Sequence, residues 1–148
     1  MHYIPGISFG NITFGMSVQE VSSIMGPDGV LEPAESGDVQ LDYNDSGIAF
    51  HFFQEEDLVL SSIQVQRGQI SIEFMEQDLF SLNYPDLLMF LSEIADETEH
   101  EIEYYEELGG IESIEFESLG LVLFFDSGKL LLEVTLFELT EDTGDEAE

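Results

Sequence analysis

With 148 residues, the chain fits one domain, large enough to bury about 68–70% of its unfolded surface. Its 43% hydrophobic content, with 12 Phe and 5 Tyr, excludes a purely disordered acidic polymer. Against 33 Asp and Glu stand only Arg67 and Lys129, for a formal net charge of -31, which argues against direct binding of nucleic acid or an anionic membrane surface. The absence of Cys removes disulfides, thiolate zinc sites and a Cys nucleophile.

In chain order, Met1-His2-Tyr3-Ile4-Pro5-Gly6 lacks a basic segment followed by an apolar one, and no run of 18 apolar residues follows anywhere. A soluble, cytoplasmic protein is expected. Alternating Ile7 and Phe9, then Phe14, open a strand. Ser17 with Glu20 has capping-box spacing, and Val21, Ile24 and Met25 form the apolar stripe of a helix that Gly26-Pro27-Asp28-Gly29 ends. Three strands are predicted next: Val39 to Tyr43, Gly47 to Phe53 and Leu58 to Val65, the last two joined by the acidic turn Gln54-Glu55-Glu56-Asp57.

The same pattern returns roughly 65 residues later. Ile72, Phe74 and Phe80 match the first opening. Asn83, with Pro85 in the first turn, predicts a helix over roughly 84–97 striped by Leu87, Phe90 and Leu91. Strands follow at Ile111 to Phe116, Gly120 to Phe125 and Leu130 to Phe137, with Gly47 and Gly120 in matching places. Gly128, in the loop Asp126-Ser127-Gly128-Lys129, sits where a positive φ is usually needed.

The fold class expected is α+β. Residues 1–137 form a single domain of two tandem strand-helix-strand-strand-strand repeats, at about 7–65 and 72–137. The strands build antiparallel sheet with helices packed on one face, and whether both halves share one sheet is left open. Residues 138–148, with Glu138, Glu141, Asp142, Asp145, Glu146 and Glu148, are expected to be a disordered tail that steers association over long range.

Residues 93–117 carry eleven acids and no Lys or Arg, interrupted by Ile102, Tyr104, Tyr105 and Leu108. A charge run is ordinarily a solvated face, but an indifferent surface mixes both signs, and aromatics among carboxylates resemble the anchors and rim of a protein interface. The candidate partner-binding residues are therefore Glu97, Glu99, Glu101, Glu103, Tyr104, Tyr105, Glu106, Glu107, Glu112 and Glu115, joined by the acidic turn Glu55, Glu56 and Asp57.

Catalysis is not expected. Among 33 acids any paired spacing can be found, so neighbours such as Glu106-Glu107 carry no weight. His2, His51 and His100 lie far apart and make no metal-ligand spacing, and no calcium loop or phosphate loop is present. His51 reads as a surface or half-buried sheet residue, and Phe50, Phe52, Phe53, Phe74 and Phe80 read as core. No cofactor is implied.

Phe14-Gly15-Met16-Ser17 with Glu20-Val21 and Met25-Gly26, followed by Asp45-Ser46-Gly47-Ile48-Ala49-Phe50 and a hairpin, resembles the small immunity proteins of bacterial polymorphic toxin systems. More loosely, both halves are similar to the helix-and-sheet repeats of the beta-lactamase-inhibitor-protein and outer-membrane assembly lipoprotein group, without the lipid-bearing Cys of a lipoprotein. The resemblance implies an antidote that occludes a cognate basic toxin, one whose own surface is built to hold nucleic-acid phosphates. The alternative expectation is a DNA mimic that inhibits a host DNA-binding protein or nuclease. Adaptation to high salt would also give acidity, but abundant Leu, Ile and Phe argue against it.

Overall fold

The computed structural model describes residues 1–54, 58–95, 101–105 and 110–139, with backbone alone for 95 and 101–105. Three two-residue strands begin the chain: β1 (Tyr3–Ile4), β2 (Ser8–Phe9) and β3 (Ile12–Thr13). They replace the single opening strand expected around Ile7 and Phe9. Turns at Gly6 and Gly10, both with positive φ, break the run, so Phe9 is buried while Ile7 is 57% exposed.

Helix α1 (Val18–Met25) starts at Ser17, whose hydroxyl accepts from the Glu20 amide while the Glu20 carboxylate accepts from the Ser17 amide, the reciprocal pairing that the spacing predicts. Of its expected stripe Val21 is buried and Met25 packs partly against the core, while Ile24 stays 43% exposed. Strands β4 (Val30–Pro33), β5 (Val39–Tyr43), β6 (Ile48–Phe53) and β7 (Val59–Gln66) form an antiparallel meander.

A small hairpin, β8 (Glu73–Phe74) and β9 (Gln77–Asp78), and a 3-10 turn at Leu79–Ser81 precede helix α2 (Tyr84–Ala95). Asn83 caps α2 by accepting from the Asp86 amide at 2.9 Å. A second meander follows: β10 (Glu101–Tyr105), β11 (Ile111–Phe116), β12 (Leu121–Phe125) and β13 (Leu131–Phe137).

The question of one sheet or two is answered by β7 and β13, which pair antiparallel through Val134↔Val65 and Leu136↔Ile63. One eight-stranded sheet results, in the order β10-β11-β12-β13-β7-β6-β5-β4. Six of the expected strand positions in the two meanders are occupied as predicted. The edge strands β4 and β10 were not expected, because β4 is exposed throughout and offers no alternating pattern, and β10 lies inside the acidic run.

Every second residue along the central strands enters one core: Ile48, Phe50 and Phe52 on β6, Ile63 and Val65 on β7, Val134 and Leu136 on β13, Leu121 and Leu123 on β12. Both helices meet this face. The Tyr43 hydroxyl donates to the Gly26 carbonyl at the end of α1, and the Tyr84 ring of α2 lies 4.8 Å from that of Phe125. Phe50, Phe52, Phe74 and Phe80 are core as expected, but Phe53 is 39% exposed, because it follows the buried Phe52 on an alternating strand and so falls on the opposite face.

The first and last parts of the chain are tied by Tyr3. Its buried hydroxyl donates toward the carbonyls of Leu119 (2.8 Å) and Gly120 (3.0 Å) and accepts from the Gly6 amide (3.0 Å). Burial pushes the phenol pKa up, so it stays a donor. Gly120 is required there, since a Cβ would meet the Phe137 carbonyl at 2.6 Å and the Tyr3 hydroxyl at 2.7 Å. Tyr3→Phe removes all three bonds without changing shape and leaves buried polar groups without partners. Urea denaturation should show a loss of about 1–3 kcal/mol with the denaturant slope unchanged, whereas equal stability would show that this joint contributes nothing.

Candidate functional site

The two cations of the chain are both engaged by the fold. Arg67 donates from Nε to the Leu131 carbonyl (2.6 Å) and from Nη2 to the Phe80 carbonyl (2.9 Å), with its guanidinium 5.3 Å from the Phe80 ring centre. It thereby links the segment after β7 to β13 and to the turn before α2. Lys129 donates from Nζ to Glu112 Oε1 and lies 4.8 Å over the Tyr84 ring.

Lys129 also corrects the expectation for its loop. The left-handed residue is Lys129, with φ 68°, rather than Gly128. Asp126 makes this possible by accepting from the amides of Gly128 (2.8 Å) and Leu130 (3.0 Å), and the strained backbone aims the ammonium at Glu112.

Glu112 is accordingly not an exposed interface residue. It lies on the core side of β11, opposite Phe125, 6% exposed, and accepts from both Lys129 and the Tyr84 hydroxyl. Burial alone would raise its pKa, but the bonds from Lys129 and Tyr84 and the Lys129 charge outweigh this and hold it below the usual carboxylate range. Burial and the neighbouring carboxylate push Tyr84 the other way.

Of the remaining predicted partner-binding residues, Glu97, Glu99, Glu106, Glu107, Glu55, Glu56 and Asp57 lie outside the described residues. Glu101, Glu103, Tyr104 and Tyr105 stand on the edge strand β10, where the Cα partner of Glu101 is Glu115 and that of Glu103 is Ser113. Glu115 is half-buried on β11. The structure thus gathers Glu101, Glu103 and Glu115 at one edge of the sheet and takes Glu112 away from it. Among the described residues no three His, Asp or Glu side chains are placed to hold a metal ion, and no helix is long and apolar enough to cross a membrane.

Sequence reasoning missed the sheet face opposite the core. Register places Glu32, Gln40, Asp42, Ala49, Gln64 and Glu133 there, together with His51 and Thr135 and, among apolar residues, Val30, Val122, Phe124 and Phe137, and no Lys or Arg. Its side chains are interlocked: Gln64 donates to Glu133 (2.8 Å) and lies 3.0 Å from His51 Nε2, and Gln40 donates to Asp42 (2.6 Å). The signal was present as the alternation Val39-Gln40-Leu41-Asp42-Tyr43 and Ile63-Gln64-Val65-Gln66, whose polar positions share one side. Its acids are few per segment, so a scan for charge runs passes over them.

The chain matches no protein family, no curated protein and no solved structure.

The Glu112 pair makes a prediction with a definite sign. Because the folded pKa lies below the ordinary 4.5, the pair stabilises the fold above that value, and the contribution is lost as pH falls through the depressed one. Lys129→Met, which keeps the side-chain length, should cost about 1–3 kcal/mol at neutral pH. In urea melts the gap from the native protein should close as the solution is acidified, because protonated Glu112 needs no cation. A gap independent of pH would show that packing of the lysine stem, not its charge, is what matters.

Proposed function

We propose that the chain is an antidote protein that binds a cognate, basic, nucleic-acid-targeting bacterial toxin and occludes its active or substrate-binding surface. One observation carries the reading. The 33 carboxylates face only two cations, and both cations are engaged by the fold itself, Arg67 by carbonyls and Lys129 by Glu112. The surface acids therefore have no internal counterpart, and a partner rich in Lys and Arg supplies the missing charge.

The architecture is consistent with two tandem units. Each has a small opening sheet, of three strands in the first and two in the second, then a helix and a four-stranded meander, and they meet at β7 and β13 so that the strand order runs outward from that seam in mirrored sequence. A duplicated half of this kind presents a broad sheet face, which suits occlusion of a surface more than capture of a small ligand. Two tandem units are also what the resemblance to helix-and-sheet repeats implies.

The acid-rich stretch 93–117 is assigned the role of steering the encounter. Charge reversal at Glu99, Glu101, Glu103, Glu106 and Glu107 should slow association severalfold and flatten its dependence on salt, with dissociation little changed. Stopped-flow or biosensor kinetics at two ionic strengths would read this, and unchanged association rates would place the steering charge elsewhere.

The partner is tested by capture on immobilised protein at about 0.15 M salt, where the Debye length is about 8 Å. One basic protein, encoded beside this chain and inactive while bound, is the expected result. Release of a general DNA-binding protein by duplex DNA would instead establish the DNA-mimic reading.

A further inference from the structure

The half of the polar sheet face farthest from β10 contains a gap whose chemistry is specific. On β6, Ala49 stands directly between Asp42 of β5 and Gln64 of β7. Its methyl group leaves a groove of about 170 Å3, walled by Gln40, Asp42, Gln64 and Gln66 and closed at one end by Gly47. Sites for drug-sized ligands run to about 300–1,000 Å3, so this one holds a single side-chain head group.

Asp42 is the unusual member. It is only 8% exposed, one carboxylate oxygen accepts from Gln40, and among the described residues the other oxygen has no hydrogen-bond partner. A carboxylate so deeply buried normally has its oxygens satisfied. Neither cation of this chain is free to pair with it, because Arg67 is engaged at the seam and before α2, and Lys129 is engaged by Glu112 on the core side of β11. Two neighbouring grooves, of about 260 and 300 Å3, share Asn44 and Gln40 with it respectively, and each is lined by two further acids: Asp28 and Asp45, then Glu32 and Asp38.

The geometry points to this trough as the anchoring site for an arginine of a partner protein, with the guanidinium against Asp42 and its aliphatic stem over Ala49. An arginine fits better than a lysine because the acceptors are dispersed: the spare oxygen of Asp42 and the amide oxygens of Gln40 and Gln66 suit a planar fork of five N–H groups more than one compact ammonium. Free metal is a poor match, since no group of three ligating side chains forms among the described residues. A second copy of this chain is disfavoured by a charge of -31 on each.

This inference rests on the antidote reading and refines it. The trough and the acidic edge at β10 lie near opposite ends of eight strands, roughly 30 Å apart at ~4.8 Å per step, several Debye lengths at physiological salt. Long-range steering and short-range anchoring are therefore separable: charge at β10 sets the association rate, and the Asp42 groove sets residence time.

The test uses tri-arginine and tri-lysine peptides, titrated into the 15N-labelled full chain at about 0.15 M salt. Saturable amide shifts centred on residues 40–42, 47–49 and 64–66 are expected with tri-arginine, and weaker ones with tri-lysine. Asp42→Asn, which keeps the shape and removes the charge, should weaken tri-arginine at this site about tenfold. Ala49→Leu, which fills the groove without touching charge, should abolish it, with circular dichroism confirming that both variants fold. Shifts spread over all acids, or unchanged by both variants, would overturn the assignment, and equal binding of tri-lysine at the site would overturn its preference for arginine. Peptide binding here with no toxin found would defeat the antidote reading alone. Toxin neutralisation indifferent to both variants would defeat this one alone.

Discussion

Repulsion among 33 carboxylates with two cations to offset them is the constraint around which the molecule is arranged. Each exposed acid pushes on its neighbours, and the sum favours an expanded chain. The opposing term is a core of unusual aromatic content, in which Phe9, Phe50, Phe52, Phe116 and Phe125 are almost wholly buried. Burial of such a side chain contributes about 1.5–3 kcal/mol. The fold can tolerate its surface because the apolar residues are concentrated on one side of a single sheet rather than divided between two small ones.

The same scarcity explains where the cations stand. Arg67 and Lys129 are not spread over the surface to soften its charge; each closes a joint between elements distant in sequence. Arg67 caps carbonyls on β13 and before α2, and Lys129 joins the β12–β13 turn to β11 and α2 through Glu112 and Tyr84. Both make bonds that a neutral side chain could not replace, since five donors in a plane and a buried carboxylate each call for a cation. The positive charge is thus used for folding, and the surface is left single-signed.

Much of the fold was legible because it depends on local rules. Ser17 with Glu20, Asn83 with Asp86, and the alternation in β5, β6, β7, β11, β12 and β13 are written in short windows. What could not be read depends on long-range pairing. The seam between β7 and β13 joins residues about 70 positions apart, and β4 becomes a strand only because β5 offers its edge. Lys129 took the left-handed place expected of Gly128 because the side chain of Asp126 and the pull of Glu112 outweigh the intrinsic preference of glycine. The candidate site shows the same division. The acidic run 93–117 is visible in sequence, whereas the Asp42 groove is assembled from three strands, and Glu112 was misread as surface because a charge run gives no hint that one of its members turns inward.

Surface charge and buried charge then have different consequences for recognition. Exposed acids are interchangeable, screened by salt, and act on any basic protein, so they bring partners close without choosing among them. A carboxylate held by Gln40 within a groove that Ala49 keeps open is less screened than an exposed one and constrains the shape of a group that would pair with it. An acidic protein that had only the first kind would bind every basic macromolecule in a cell. Selectivity for one partner requires the second kind, and on the reading proposed above the Asp42 groove would supply it.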